Sequence, residues 1–360
     1  MNFDLSEEQE LFRSSVERFA APIDVEARRK LRLSPIGYDR ERWTQLAELG
    51  LIALAASEEA GGMGGSTVDL ALVAEAIGKA NSPDPWLENG VIPALLLERG
   101  GADGALEKVL GGDQIAGFAW AERAQRYSLT AKTMKAEGTT LSGEKTFVMG
   151  ALLADLFVVT ADLEGETACF LVPGDADGVD VRAYRLADGS IAGELRLTRA
   201  AGTQIDVTAS ALDAIVAEAR LYAAAEMVGL GQRLLDDTLA YIKEREQFGV
   251  AIGSFQALQH RMVEAYARIE QCRSMLYRAA LTDRADTQTL IRAAAGAKAF
   301  IGENVDAIAR EAVQMHGGMG ITDELAIGHA MKRVMVLARL FGDTDTLLAE
   351  YGLAENAIAA

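Results

Sequence analysis

The apolar positions in the C-terminal part of the chain recur at steps of three and four residues. This spacing puts apolar side chains on one face of a helix. The pattern therefore predicts four long helices, over residues 212–242, 255–281, 289–315 and 323–340. The predicted connections between them are short, which favours an antiparallel helical bundle.

The pattern is different between residues 113 and 207. Here the apolar runs are short and rich in β-branched and aromatic residues, and turn-forming glycines separate them. Such runs are typical of strands. The sequence therefore predicts an antiparallel β domain, a small barrel or a sandwich, with strands at 116–120, 157–160, 168–172 and 194–197.

The first third of the chain is again helical in pattern. Ser6 and Gln9 have the spacing of a capping box, and an amphipathic run follows them. Further helices are predicted over 40–49, 69–80 and 90–99. The glycine-rich stretch at 61–65 lacks the GxGxxG spacing of a dinucleotide fold, so we interpret it as a turn.

These patterns predict an α+β protein of three successive domains. They are an N-terminal helical domain over residues 1–112, a middle β-barrel domain over 113–207 and a C-terminal four-helix bundle over 208–360.

Charge and cysteine content narrow the possible partners and the compartment. The net charge of −18 argues against nucleic acid and against anionic membrane surfaces. No apolar run is long enough to predict a membrane span. Cys169 and Cys272 lie far apart without a CxxC motif, and residues 1–5 lack the basic start of a signal peptide. We therefore expect a reducing compartment and a cytoplasmic location.

Common metal and nucleophile motifs are missing from the sequence. The three histidines, His260, His316 and His329, have no HExxH spacing, so we expect no metal site. No GxSxG elbow is present, and neither cysteine has an obvious histidine partner. The sequence therefore gives no support for nucleophilic catalysis.

Two loops are candidates for ligand binding. Gly317, Gly318 and Gly320 follow a long predicted helix, and one glycine would suffice to cap it. The others leave bare backbone that a ligand can approach, although a helix–helix turn also explains them. Arg245 and Phe248 close the long predicted helix that begins at residue 212. An arginine there suits the helix dipole, but it can also bind a pyrophosphate through two hydrogen bonds.

These two loops carry a resemblance to a known family. The pattern Arg245-x-x-Phe248-Gly249, then Phe255-Gln256, then Gln314-x-x-Gly317-Gly318, resembles the acyl-CoA dehydrogenase family. Segments 5–9, 43–51, 61–64 and 75–78 fit the same family, so the resemblance covers nearly the whole chain. It implies the three-domain α–β–α fold, bound FAD, an acyl-CoA substrate that is dehydrogenated between Cα and Cβ, and electron-transfer flavoprotein as acceptor.

The resemblance also implies which residues hold the cofactor. In the family, FAD lies at a subunit interface, with its ring on one subunit's middle domain and its pyrophosphate and adenosine on a neighbour's C-terminal bundle. The positions of this chain that match the family's pyrophosphate and adenosine motifs are Arg245, Phe248, Gln256, Gln314, Gly317 and Gly318.

The catalytic part of the family pattern is missing. The family's general base lies on an aromatic-Glu-Gly-Thr segment, where this chain has Gly342 in the glutamate position. The family's alternative base precedes an arginine, and here Ala219 precedes Arg220. Asp343 is the remaining candidate, but its one-residue shift and shorter arm would misplace the carboxylate.

The ring-binding part is altered as well. Ala121 stands where the family's Thr-Glu-Pro has threonine, and residues 147–150 replace its Trp-Ile-Thr-Asn. Met149 cannot donate the hydrogen bond that the family's threonine gives to the flavin. The chain is thus most similar to the small, base-less subunit of heterotetrameric acyl-CoA dehydrogenases that act on steroid side-chain, bile-acid or dicarboxylic acyl-CoAs. A paralogous subunit would complete an α2β2 enzyme.

Three hypotheses are left open by the sequence. The chain is a subunit that is incomplete alone, or a self-sufficient homo-oligomeric dehydrogenase that uses Asp343, or a non-catalytic acyl-CoA-binding scaffold. The acyl group is not predicted by any of these patterns.

Overall fold

The N-terminal part of the protein is helical, as predicted. The computed structural model describes residues 5–20 and 24–358. Residues 1–4, which belong to the segment that is predicted not to start a signal peptide, lie outside the described residues. The helices are α1 (Glu7–Phe19), α2 (Val25–Leu33), α3 (Arg40–Glu48), α4 (Thr67–Ala80), α5 (Ile92–Arg99) and α6 (Asp103–Leu110), and a π-helix over Trp86–Val91 runs into α5. The Ser6 hydroxyl accepts from the Gln9 N–H at 3.1 Å and the Gln9 side chain accepts from the Ser6 N–H, which confirms the capping box.

The middle part forms one eight-stranded sheet. Its strands are β1 (Ala116–Ala119), β2 (Lys135–Glu137), β3 (Thr140–Met149), β4 (Leu156–Leu163), β5 (Glu166–Pro173), β6 (Val179–Arg185), β7 (Ile191–Ala201) and β8 (Thr203–Ile205). The order is β6-β7-β3-β2-β4-β5-β8, and β1 also pairs with β4. Both β1 and β2 run parallel to β4, so the prediction of a purely antiparallel sheet was wrong. Side-chain alternation within a strand carries no information about the direction of its neighbours.

The core of this sheet comes from alternate residues of its strands. Buried side chains cluster on one face, among them Leu141, Phe157, Phe170, Leu195 and Leu197. Burying such side chains stabilises the sheet by about 1.5–3 kcal/mol each.

The C-terminal part holds more helices than the periodicity predicted. They are α7 (Ala209–Glu244), α8 (Gln256–Ala280), α9 (Thr287–His316), α10 (Ala326–Leu337) and α11 (Thr344–Ile358), and the hairpin β9 (Glu246–Gln247) and β10 (Val250–Ala251) lies between α7 and α8. Helix α10 begins later than predicted because residues Gly317–Ile321 form a 3₁₀ turn and Leu325 is extended. Helix α11 was not predicted, although Leu347, Leu348 and Tyr351 have helical spacing.

The chain divides into two compact units. The bounds of the three domains expected from the sequence stay a prediction. The first unit comprises residues 1–30, 67–82 and 220–360, and the second comprises 31–66 and 83–219. Within the first unit, α4 and α7 approach so closely that a Cβ on Gly78 would lie 2.0 Å from the Glu226 carbonyl oxygen. Within the part of the chain that the structure describes, no helix is long and apolar enough to cross a membrane.

Candidate functional site

The first candidate loop is the hairpin at the end of α7. The Arg245 N–H donates to the Tyr241 carbonyl at 2.8 Å as the helix ends, and the Arg245 carbonyl accepts from the Ile252 N–H at 2.8 Å as the chain returns. Phe248 and Gly249 form the tip, with φ of +56° and +82°. A non-glycine residue at positive φ is uncommon, so the turn holds Phe248 in a specific orientation.

The tip of this hairpin faces away from its own unit. The Phe248 side chain is 93% exposed, and its ring packs edge-to-face with the Phe255 ring, with centroids 6.2 Å apart. Arg245 and Gln256 are also exposed, and within residues 5–20 and 24–358 the Arg245 guanidinium has no hydrogen bond or ion pair. Exposed aromatic rings beside an unpaired guanidinium are typical of a binding surface.

The second candidate loop follows α9. Gly317 ends the helix at φ +60°, and a Cβ on Gly317 or on Gly318 would meet no atom within 4 Å. Gly320 differs, because a Cβ there would lie 2.8 Å from the Val313 carbonyl oxygen. Gly320 is therefore required by the turn itself, whereas the backbone at Gly317 and Gly318 is open. Gln314, two residues before the last residue of α9, is exposed.

Helix α10 holds this glycine loop in place. The Lys332 ammonium pairs with the Asp323 carboxylate at 2.5 Å, and the His329 ring lies 3.1 Å from the Asp323 carbonyl oxygen. Because a carbonyl can only accept, Nε2 of His329 carries a proton. Burial lowers the pKa of His329, which favours the neutral ring.

The predicted base position is a third feature of the same unit. Gly342 is buried with φ +136°, and a Cβ there would lie 2.8 Å from Cδ2 and 3.0 Å from Cγ of Leu347. Leu347 is itself buried among Ala295 and Ala299. A glutamate at this position would therefore be strained in its backbone and would clash with its neighbour.

Two buried basic side chains hold the backbone of this segment. Arg220 Nε donates to the Phe341 carbonyl at 2.9 Å, and its Nη1 pairs with Glu350 at 2.7 Å. Lys298 Nζ donates to the carbonyls of Gly342 at 2.8 Å and Ala338 at 3.2 Å. The carbonyl oxygens of Ala338, Phe341 and Gly342 thus all accept hydrogen bonds from buried side chains.

Asp343, the alternative base, is engaged as a helix cap. Its Oδ1 accepts from the Thr346 N–H at 3.0 Å, in the first turn of α11. A carboxylate in this position stabilises the positive end of a helix, typically by about 1 kcal/mol. This bond argues against a free general base, and it explains why an aspartate follows Gly342.

The buried Lys298 has a measurable consequence. Burial, with the nearby charge of Arg220, lowers the pKa of Lys298 from 10.5 to about 7, although Asp343 opposes the shift. Between these values the unfolded chain holds one more proton than the folded protein. The free energy of unfolding therefore increases with pH above about 7, by roughly 1 kcal/mol per pH unit from this group.

We expect Lys298→Met to remove this increase in stability. Denaturant unfolding at several pH values from about 7 to 9 measures it, as the difference in slope between the variant and the wild type. The exposed Lys108 on α6 supplies the control substitution, Lys108→Met. Parallel pH curves for wild type and Lys298→Met would contradict the assignment.

The predicted ring-binding positions belong to the second unit. Ala121 and Met149 are buried, and neither alanine nor methionine can donate a side-chain hydrogen bond. Gly150 has φ +62°, and a Cβ there would lie 2.0 Å from Oδ1 of Asn89. The fully buried Asn89 donates to the Ala116 carbonyl at 2.9 Å, so its amide occupies the space beside Gly150.

A buried ion pair in this unit was not predicted from the sequence. Glu122 lies 3.0 Å from Nζ of Lys145, and both side chains are inaccessible to solvent. The same carboxylate accepts from the N–H groups of Lys132, Thr133 and Met134, at 2.7 to 3.2 Å. Glu122 thus fixes the loop before β2. The sequence pattern singles out only the neighbouring Ala121, for its missing hydroxyl, and no short motif indicates the Lys145 partner.

The pKa values of this pair follow from its surroundings. Burial alone would raise the pKa of Glu122, but the hydrogen bond and charge of Lys145 and the backbone N–H groups lower it to about 2. Burial lowers the pKa of Lys145 to about 8, against the opposing effect of Glu122. Glu122 is therefore ionised at neutral pH. Among the described residues, no cluster of three or more His, Cys, Asp or Glu side chains could hold a metal ion.

Comparison with known proteins identifies the family. Residues 6–111 match the model for the N-terminal domain of acyl-CoA dehydrogenases, and residues 209–351 match the model for their C-terminal domain. The acyl-CoA dehydrogenase IpdE2 of Mycolicibacterium smegmatis is 32% identical over 346 residues, which cover 94% of this chain and 96% of the relative. The chain belongs to the acyl-CoA dehydrogenase family.

Solved structures of acyl-CoA dehydrogenase type have the same fold. A variant of the Tcur3481–Tcur3483 steroid ACAD superimposes with a TM-score of 0.88 at 26% identity, covering 98% of this chain and 99% of that chain. PigA with FAD and proline gives 0.89 at 25% identity, covering 99% of both chains. Acyl-CoA dehydrogenases are FAD-dependent oxidoreductases, and this chain carries the family's three-part fold.

The residues of this acyl-CoA dehydrogenase fit one half of FAD better than the other. The exposed guanidinium of Arg245 and the open backbone at Gly317 and Gly318 suit a pyrophosphate. Ala121, Met149 and Gly150, at the predicted ring-binding positions, carry no side-chain donor, and Asn89 fills the space beside Gly150. Within a single chain, the described residues therefore fit the dinucleotide tail and do not fit the hydrogen bonds that the flavin ring requires.

Proposed function

We propose that this chain is the base-less subunit of a heteromeric acyl-CoA dehydrogenase. A paralogous subunit supplies the flavin-ring pocket and the catalytic glutamate, and the two form an α2β2 assembly. This chain supplies Arg245, Phe248, Gln256, Gln314, Gly317 and Gly318 to the pyrophosphate and adenosine of the FAD whose ring lies on the partner. FAD held by these residues would supply the acceptor for the hydride that leaves the substrate's Cβ.

The observation that carries the proposal is the geometry at Gly342. A side chain at this position meets Leu347 at 2.8 Å, and Arg220 and Lys298 hold the backbone on either side. Asp343 caps α11. A chain that cannot place a carboxylate at its own base position needs one from another subunit to remove the α-proton.

The exposed hairpin and glycine loop support the same proposal. The Arg245 guanidinium can form two charge-assisted hydrogen bonds with a pyrophosphate, and open glycine backbone lets the phosphates approach closely. The Phe248 ring, exposed over 93% of its surface, would be covered by a flat ligand or by the partner. The name of the similar Tcur3481–Tcur3483 steroid ACAD joins two proteins, which supports a heteromeric assembly. The same name includes a steroid, so we propose a steroid or other bulky acyl-CoA as the substrate class of this chain.

Expression of the chain alone, and together with a paralogue that carries an intact aromatic-Glu-Gly-Thr segment, tests the proposal. We expect the single chain to show no acyl-CoA dehydrogenation and little bound flavin. The co-expressed complex should show activity, with one FAD for each pair of unlike subunits, measured by native mass and flavin absorbance. A yellow, fully active homo-oligomer from the single chain would refute the heteromeric assignment.

Arg245→Ala should weaken FAD retention in that complex. Loss of a charge-assisted contact to the pyrophosphate is expected to raise the FAD dissociation constant by about 10- to 100-fold. Flavin titration of the apo-complex measures this change. Arg310→Ala is the matched control, because Arg310 is an exposed arginine on α9 that pairs with Asp306 of its own helix. Equal FAD affinity in the two variants would count against the role of Arg245.

The compartment and the electron acceptor are further parts of this proposal. Both cysteines are free and buried, which agrees with a reducing compartment such as the cytoplasm. Electron-transfer flavoprotein is the proposed acceptor for the reduced enzyme.

Asp343→Asn should leave the activity of the complex nearly unchanged, since the amide oxygen can still accept from the Thr346 N–H.

A further inference from the structure

A pair of stacked rings joins the two candidate loops of the first unit. The rings of Tyr241 and His316 are stacked, with centroids 4.2 Å apart and an interplanar angle of 24°. Tyr241 lies on α7, and its carbonyl accepts the N–H of Arg245. His316 is the last residue of α9 and directly precedes Gly317. The two helix ends that carry the candidate loops are therefore in contact through these two side chains.

The orientation of the His316 ring is fixed by its own helix. Nδ1 lies 2.8 Å from the Ala312 carbonyl oxygen, and His316 is 7% exposed. Because a carbonyl oxygen can only accept, Nδ1 carries a proton. The ring is thus held on one side by α9 and on its face by Tyr241, so a shift of either helix end must disturb the stack.

The position of this stack matters for any ligand that contacts both loops. A pyrophosphate bound by Arg245 and by the backbone after Gln314 needs a fixed spacing between the ends of α7 and α9. An error of about 1 Å in such spacing can cost about a hundredfold in the rate of a reaction that depends on it. The α10 contacts of Asp323 hold the far end of the glycine loop, whereas the stack is the contact at its near end.

We infer that Tyr241 and His316 are positioning residues that set the spacing between the Arg245 hairpin and the glycine loop, and thereby the affinity for the adenosine–pyrophosphate half of FAD. The inference rests on the proposed function in one respect only, that the two loops together bind this half of the cofactor. It holds for a heteromeric and for a homomeric enzyme alike.

Tyr241→Leu, made in the FAD-binding oligomer, tests this inference. We expect the dissociation constant for FAD to rise by about tenfold, which corresponds to about 1.4 kcal/mol, while that for FMN stays unchanged. FMN has the flavin ring and one phosphate but lacks the adenylate half, so it does not depend on the spacing of both loops. Tyr241→Phe keeps the ring and should behave as wild type. Tyr184→Leu, on β6, is the matched control for loss of a tyrosine ring.

The outcomes separate the positioning role from a general loss of structure. Equal weakening of FAD and FMN by Tyr241→Leu would show a merely structural role and overturn the inference. Unchanged FAD affinity in Tyr241→Leu, with weakened affinity in Arg245→Ala, would also overturn it while leaving the proposed function intact. Unchanged FAD affinity in both variants would overturn the proposed function and this inference together.

Discussion

Replacing Glu122 with Gln is expected to lower the free energy of unfolding by about 3–5 kcal/mol. The substitution leaves the Lys145 ammonium buried without its charged partner, 3.0 Å away. It also turns an amide N–H₂ group toward backbone N–H donors that now share one carboxylate. Lys145 Nζ would still donate to the Trp120 carbonyl and the Thr160 hydroxyl, but its buried charge would be uncompensated, and backbone N–H groups of the loop would lose an acceptor.

Denaturant unfolding of the purified chain measures the effect. Glu144→Gln is the matched control, because Glu144 pairs with Arg196 on the surface and its side chain is 61% exposed. Such exposed pairs contribute about 0–1 kcal/mol. The double variant Glu122→Gln with Lys145→Met should be more stable than Glu122→Gln alone, since it removes the unpaired charge. A cost for Glu122→Gln no larger than that of Glu144→Gln would contradict this account.

The same pair sets part of the acid stability. The pKa of Glu122 is lowered to about 2, below the ordinary value of 4.5, so its stabilisation is complete above pH about 4.5 and is lost as the pH falls toward 2. Glu122→Gln should lack this component. Unfolding curves for the two proteins should therefore converge as the pH falls through this window.

Gly342→Glu is the second large effect. Restoring the family's base residue should not create a dehydrogenase from this chain alone, and it should lower the free energy of unfolding by roughly 2–5 kcal/mol. The cause is the backbone at φ +136° together with the contact at 2.8 Å to Leu347. Accommodating the glutamate requires a rearrangement of the buried segment that Arg220 and Lys298 hold.

Two further variants divide this effect into its parts. Gly342→Ala adds only a Cβ and should carry most of the cost, because the strain and the clash begin at that atom. Leu347→Ala combined with Gly342→Glu should relieve the clash but keep the backbone strain. Thioester dehydrogenation by the Gly342→Glu chain without a partner, at near wild-type stability, would show that the segment can accept a base.

The residues that match the family's dinucleotide-tail motifs and the position that matches its general base thus have different surroundings in this molecule. The proposed dinucleotide-tail residues are exposed on a hairpin and a loop, available to a ligand. The predicted base position is filled by packing, with Asp343 capping α11 and Lys298 bound to the backbone. The proposed absence of a base therefore involves more than Gly342 alone, because the neighbouring contacts leave no room for a longer side chain.

The sequence alone determined the features that depend on local order along the chain. Helical periodicity located α7, α8 and α9, the Ser6 capping box fixed the start of α1, and the motif spacing around Arg245 and Gly317 indicated the family. It also predicts that Gly342 stands where the family has glutamate. These signals succeed because they depend on neighbours within a few residues.

Only the tertiary structure decided the features that join distant parts of the chain. The parallel pairing of β1 and β2 with β4 depends on strand direction, which alternation does not encode. The pairing of Glu122 with Lys145, the clash of Gly342 with Leu347 and the stack of Tyr241 on His316 join residues that no short motif connects. The pKa values of the ion pair, the strain at the glycine and the spacing between the two helix ends all depend on which atoms meet in the folded protein.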